Sequence, residues 1–210
     1  MFDAHSFYLF LGTAVVLVLS PGPDTMLVLS RTLVSGTLAG LMTLLGTQVG
    51  NVIHAILAGV GVSTLVLLFP PAFIALKAIG VGYLLYLAIQ SWRASSSLLL
   101  DSGLSIGGSA RRHFAQGLIS NLANPKMIAF FIALFPQFVH PESGSLALQS
   151  LVLGGTLAVM AFLWIGSMVT ILGRFRSSVA TTETFQRVAQ KLAALTFVGL
   201  ALRLAVQRND

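Results

Sequence analysis

Cysteine is missing from all 210 residues, so no disulfide framework, thiol nucleophile, thiolate cluster or redox relay is open to this chain. Charge is scarce as well. Asp, Glu, Lys and Arg make up 9% of the residues, where a soluble domain carries about 25%. Only six residues are acidic, and a single carboxylate, Asp24, falls inside an apolar run. That excludes an intramembrane protease of the two-aspartate kind, and no convincing Ser–His pairing for nucleophilic catalysis is present. The chain is not read as an enzyme. One carboxylate is also too few for a hard cation, which wants several oxygen ligands. No metal site and no cofactor are expected.

Apolar surface is what the chain has in abundance. It is 56% hydrophobic with mean hydropathy +0.91, the composition of an all-α polytopic membrane protein in a lipid bilayer. The net charge of +6 is spread singly between apolar runs, as in cytoplasmic loops, so nucleic acid is not an expected partner. The first six residues hold no Lys or Arg, and no A-x-A-like site follows, so the first run is expected to be a retained helix.

At about twenty residues each, six transmembrane spans fit: 7–30, 41–69, 72–92, 114–139, 146–172 and a shorter 192–206. Residues 93–113, rich in Ser and Gly, separate the halves 1–92 and 114–210 of a single transporter domain 1–210. With the N-terminus outside, the inner loops hold Arg31, Arg93, Arg111, Arg112, Arg174, Arg176, Arg187 and Lys191, and the outer side at most Arg203 and Arg208. This bias predicts an N-out, C-out protein. Three spans per half predict a 3+3 inverted repeat.

Two spans, the first and the fourth, are broken. In Ser20-Pro21-Gly22-Pro23-Asp24-Thr25, Pro21 and Pro23 cannot donate to the carbonyls of Leu17 and Leu19, and Gly22 loosens the backbone. Irregular backbone at membrane depth survives only where protein or a cavity satisfies it. In Asn121-Leu122-Ala123-Asn124-Pro125-Lys126, Asn124 is placed as an N-cap and Pro125 as the first helical residue. Pro23 and Pro125 stand 102 positions apart, near half the chain. Broken helices in corresponding places of two halves point to a transporter's binding site.

A two-fold relating the halves would carry Asp24 onto Lys126. The two could pair permanently, or receive a zwitterion, Asp24 facing its ammonium and Lys126 its carboxylate. Gln48, Asn51 and His54 recur on one helix face, as glue between helices or as lining of the same cavity. His54 could carry a proton near neutral pH. Gly36-x-x-x-Gly40 and Gly46-x-x-x-Gly50 favour close helix packing. Tyr83 and Tyr86 share a face of the third span, and the sequence does not choose between lining and packing.

Ser20 to Arg31, Gly36 to His54, Leu76 to Leu87 and Phe114 to Phe138, with its Asn124-Pro125-Lys126 and Phe135-Pro136-Gln137-Phe138, stand in the order of a known family. At these residues the chain resembles the lysine/homoserine–threonine exporters (the LysE/RhtB family), over residues 1–140 by motif and beyond by hydropathy. The resemblance implies efflux of amino acids or related small amines from a bacterial cytoplasm through the inner membrane, by exchange for protons. The expectation is therefore a secondary active exporter, an antiporter whose substrate site draws on Asp24, Lys126, Asn124, Asn51, His54 and Gly22 beside the breaks at Pro21, Pro23 and Pro125. A homo-oligomer is compatible with it. The rival readings are a cation exporter or a passive channel, with Asp24 as the ion-facing carboxylate.

Overall fold

A computed structural model describes residues 4–62 and 108–174, with single helical positions between 78 and 93 and between 191 and 205. Most of the third and sixth predicted spans, the turn at Pro70 and Pro71, and most of the central loop lie outside the described residues.

Six α-helices are formed in the two continuous stretches. They are α1 (Ala4–Leu19), α2 (Pro23–Ser35), α3 (Thr37–Leu57), α4 (Ala110–Leu122), α5 (Pro125–Ala129) and α6 (Leu146–Arg174). Wider π-type turns extend α3 over Ala58–Val62 and α5 over Phe130–Leu134, and a tighter 3-10 turn, Phe135–Phe138, completes the latter. Helices α3 and α6 are long and apolar enough to cross a membrane alone. Two further candidate crossings are bent pairs: α1 with α2 at 47°, and α4 with α5 and its extension at 46°. Both expected breaks are therefore present, and each falls where a proline opens the following helix.

Boundaries differ from the expectation in instructive ways. The first span continues to Ser35 and the second begins at Thr37, so Arg31 lies buried inside α2 and is not a loop residue. A single residue, Gly36 at φ 94°, turns the chain between them, a conformation open to glycine at little cost. Arg111 and Arg112 likewise belong to α4, whose start at Ala110 is capped by the Ser109 hydroxyl.

Helix α3 is the centre of the packing, with α4, α6 and α2 against it. Its contact with α4 is backbone on backbone. A Cβ on Gly46 would strike the Phe114 carbonyl, and one on Gly117 the Thr43 carbonyl, so here the small residues serve close approach. One apolar core gathers Phe10, Phe130, Phe131, Phe135 and Phe138, with ring centroids of successive partners 5.0–6.3 Å apart. Another holds Val28, Leu44, Ala161, Ile165 and Val169. Outside these, Leu38, Ile119, Val159, Leu163 and Ile171 are exposed. An apolar outer surface of this extent suits lipid.

Candidate functional site

The site grows out of the two breaks. After Leu19 the chain leaves helical geometry, and Gly22, extended at φ −140°, precedes Pro23 without any side-chain cap. Prolines 21 and 23 supply no N–H, so carbonyls at the end of α1 are left without their helical donors. The structure satisfies two of them from the other half of the molecule. The Lys126 ammonium donates to the Ser20 carbonyl at 2.9 Å and to the Leu17 carbonyl at 3.3 Å. Lys126 is 7% exposed, and it lies directly over Gly22, where a Cβ would stand 3.1 Å from its Nζ. A cation at a helix C-terminus also meets the negative end of that helix's dipole.

Asp24 makes the reciprocal reach. It sits in the first turn of α2, the favourable end for an anion, and its carboxylate accepts from the last turn of α4. Ser120 Oγ donates to Oδ1 and Asn121 Nδ2 to Oδ2, each at 2.8 Å. Bonds to an ionised acceptor are the stronger kind. Each charge beyond a break thus holds the helix that precedes the other break. Among the described residues no ion pair joins Asp24 to Lys126. The permanent pair is not formed in this structure; the two have separate partners.

Asn121 is the hub. Its Nδ2 donates also to Asn51 Oδ1 at 2.9 Å, and Asn51 Nδ2 donates to Gln48 Oε1 at 2.9 Å. Gln48 Nε2 in turn donates to Thr47 Oγ1 at 3.0 Å. The His54 ring meets the Asn121 carbonyl through Nε2 at 3.2 Å and stacks on Phe131 at 5.3 Å. The predicted face of α3 is therefore present, and both ends of the Asn51 amide are engaged. Asn124 caps α5 as expected, its Oδ1 accepting from the Lys126 backbone N–H at 2.9 Å.

Some polar atoms here are buried without a partner: Ser20 Oγ, Asn121 Oδ1 and Asn124 Nδ2. Buried groups of this kind are costly; others lie away from the breaks, among them Gln116 Oε1, Gln137 Oε1 and Ser150 Oγ. Tyr86 is exposed on the outside, and Tyr83 lies outside the described residues. An apolar groove of about 400 Å³ between α1 and α6, lined by Val15, Leu19, Leu163 and Trp164, contains none of the site residues.

The sequence reading missed Ser120, Asn121 and the carbonyl acceptors of Lys126 as members of the site. A signal was present for the first two: adjacent polar residues in the last helical turn before the Asn124 break. Nothing in residue types marks a backbone carbonyl as the ligand of a distant lysine.

Comparison with known proteins finds relatives along nearly the whole chain. The sequence model of the LysE type translocator family matches residues 15–208. A homoserine/homoserine lactone efflux protein of Salmonella typhimurium is 36% identical over 202 residues, covering 96% of this chain and 97% of the relative. An uncharacterized membrane protein of Vibrio cholerae is 34% identical over 209 residues, covering 98% and 99%. The uncharacterized membrane protein YrhP of Bacillus subtilis is 31% identical over 207 residues, covering 95% and 98%. No solved structure gives a significant match. With membrane-protein relatives along its length and apolar crossing helices, the chain is a multi-pass membrane protein.

Proposed function

The chain belongs to the LysE-type translocator family, and from that premise we propose that it is a secondary active exporter of a small amino acid or related amine, driven by proton exchange. The observation that carries the reading is the crossed pair of contacts at the breaks, Asp24 on Ser120 and Asn121, Lys126 on Leu17 and Ser20. A zwitterion could take the place of Ser120 at Asp24 Oδ1 and of the two carbonyls at Lys126. The ammonium of a substrate would take the Asp24 carboxylate, and its carboxylate would draw Lys126 off the two carbonyls. Asn124, Asn51, His54 and Gly22, whose Cα lies under the Lys126 ammonium, would line the space.

One carboxylate takes either an ammonium or a proton, and not both. That mutual exclusion is what exchange requires: Asp24 releases substrate on the outside as it is protonated, and returns its proton inside as the next ammonium binds. Alternating access follows if the halves form a 3+3 inverted repeat that rocks about the site. The crossed contacts support this, because exchanging Pro23 for Pro125 exchanges the two arms of the clasp. The loop charges support an N-out, C-out chain in the bacterial inner membrane. A reporter active only in the cytoplasm should then give signal after Asp101 and none after Asp210. The substrate of the Salmonella relative supplies the probe, labelled homoserine.

The experiment is transport in proteoliposomes. Wild-type protein should show counterflow of labelled homoserine and accumulate it against a gradient when a pH difference is imposed. Asp24→Asn should lose both, by tenfold or more. Conduction without counterflow would make the protein a channel, and full gradient-driven transport by Asp24→Asn would remove the carboxylate from the mechanism.

A further inference from the structure

The two partners of the Asp24 carboxylate are chemically unlike, and the difference bears on where a proton can come and go. On Oδ2 the partner is an amide N–H of Asn121, which donates and cannot accept. The same Nδ2 is held on its other side by Asn51 Oδ1, and Asn121 is 1% exposed. A proton placed on Oδ2 would point at another donor, in a sealed place. On Oδ1 the partner is the Ser120 hydroxyl, which both donates and accepts. Ser120 is only partly buried. A proton placed on Oδ1 keeps its hydrogen bond, since the hydroxyl rotates and turns from donor to acceptor.

We infer that Asp24 takes and releases its coupling proton at Oδ1 through the Ser120 hydroxyl, while Asn121 holds Oδ2 fixed in both charge states. This rests on the proton-exchange reading above. The step balances without another reactant. An incoming proton bonds to a lone pair of Ser120 Oγ as the hydroxyl's own proton passes to Asp24 Oδ1, and the carboxylate becomes a neutral acid. Deprotonation runs the same path in reverse. Ser120 acts through Asp24 and is therefore a positioning residue for the proton, with no contact to substrate assigned to it.

Among the described residues, other groups around α2 do not supply a competing route by placement. On α3 the titratable residue is His54, whose bond goes to the Asn121 backbone carbonyl. On α5 it is Lys126, occupied with Leu17 and Ser20. Arg111, Arg112 and His113 stand in the first turn of α4, at the end opposite Ser120. Arg174 closes the far end of α6, Arg31 is two turns along α2 itself, and α1 offers His5 and Tyr8 near its start.

The test uses the full chain in proteoliposomes, with labelled homoserine measured in two modes: exchange at equal pH, and accumulation driven by a pH difference. For Ser120→Ala the ratio of driven accumulation to exchange should fall at least tenfold, and the steep dependence of the driven rate on pH should flatten. Ser120→Thr, which restores a hydroxyl, should recover ratio and profile together. Equal loss of both modes in Ser120→Ala would make the residue merely structural and overturn the inference. So would a wild-type ratio in Ser120→Ala, or failure of Ser120→Thr to rescue. A wild-type protein that exchanges homoserine but ignores the pH difference would overturn the proton-exchange reading itself, a result distinct from any of these.

Discussion

The two breaks share one local grammar and satisfy it in opposite ways. Each bends its span by nearly the same angle, 47° and 46°, and each restarts with proline followed by a charge. The second break looks after itself. Asn124 caps the new helix with its side chain, the Ala123 N–H returns to the Ile119 carbonyl, and the Asn124 N–H to the Asn121 carbonyl. The first break does so only in part, through the Ser20 N–H, which returns to the Val16 carbonyl. Gly22 brings no capping side chain, and the Leu17 and Ser20 carbonyls depend on Lys126, more than a hundred residues away. A local break is a hinge that keeps its form through a motion. A break satisfied from across the molecule is a latch, whose form changes when its partner leaves.

Removing the latch should have the largest effect. Lys126→Met strands two buried carbonyls, each worth about 1–3 kcal/mol when left unsatisfied. The purified protein should unfold at a clearly lower temperature in detergent and transport labelled homoserine at under a tenth of the wild-type rate. Adding Pro21→Ala returns an N–H that can reach the Leu17 carbonyl along the helix, so the double variant should regain part of the stability and none of the transport. Wild-type stability in Lys126→Met would mean that the carbonyls have other donors, and the contrast between the breaks would fall. Gly22→Ala is a finer probe. Its backbone angle suits any residue, but the new Cβ would stand 3.1 Å from Lys126 Nζ and 3.2 Å from Cε. The ammonium must shift by a few tenths of an ångström. A cost of about 0.7–1.4 kcal/mol, or about three- to tenfold weaker homoserine binding, is expected with the fold intact. Asn124→Ala should matter least, about 1 kcal/mol for a lost N-cap. A larger loss there than in Lys126→Met, read by the same unfolding measurement, would reverse the assignment of hinge and latch.

Both breaks were legible in the sequence because proline removes a donor whatever surrounds it, and because Asp24 and Lys126 are rare charges in apolar runs. The polar face of α3 was legible from spacing alone. Its partners were not: Asn51 meets Asn121 across 70 residues, and pattern within one helix carries no register between helices. Charge alone left two readings of Asp24 and Lys126 open, a permanent pair or a site for a zwitterion, because it does not reveal that the carboxylate has two side-chain donors and the ammonium two carbonyls within reach. Arg31 was assigned to a loop by the positive-inside count, yet α2 continues through it to Gly36, where the chain turns in one residue and needs no polar linker.

The reach of these bonds has a consequence for how the protein is made. Asp24 waits 96 and 97 residues for its two donors, and the Ser20 and Leu17 carbonyls wait 106 and 109 for theirs. At about 5–20 residues per second, roughly a hundred residues occupy the ribosome for about 5–20 s. Throughout that interval the nascent first half holds a carboxylate and bare carbonyls with no native partner, and it is held in place by translocation machinery, water or lipid headgroups. Completion of α4 and the start of α5 ends the exposure at a stroke, since Ser120, Asn121 and Lys126 emerge within seven residues of one another. A chain cut short before that point keeps its unmet groups, and so carries on its surface the mark by which a quality-control protease can tell it from the finished protein.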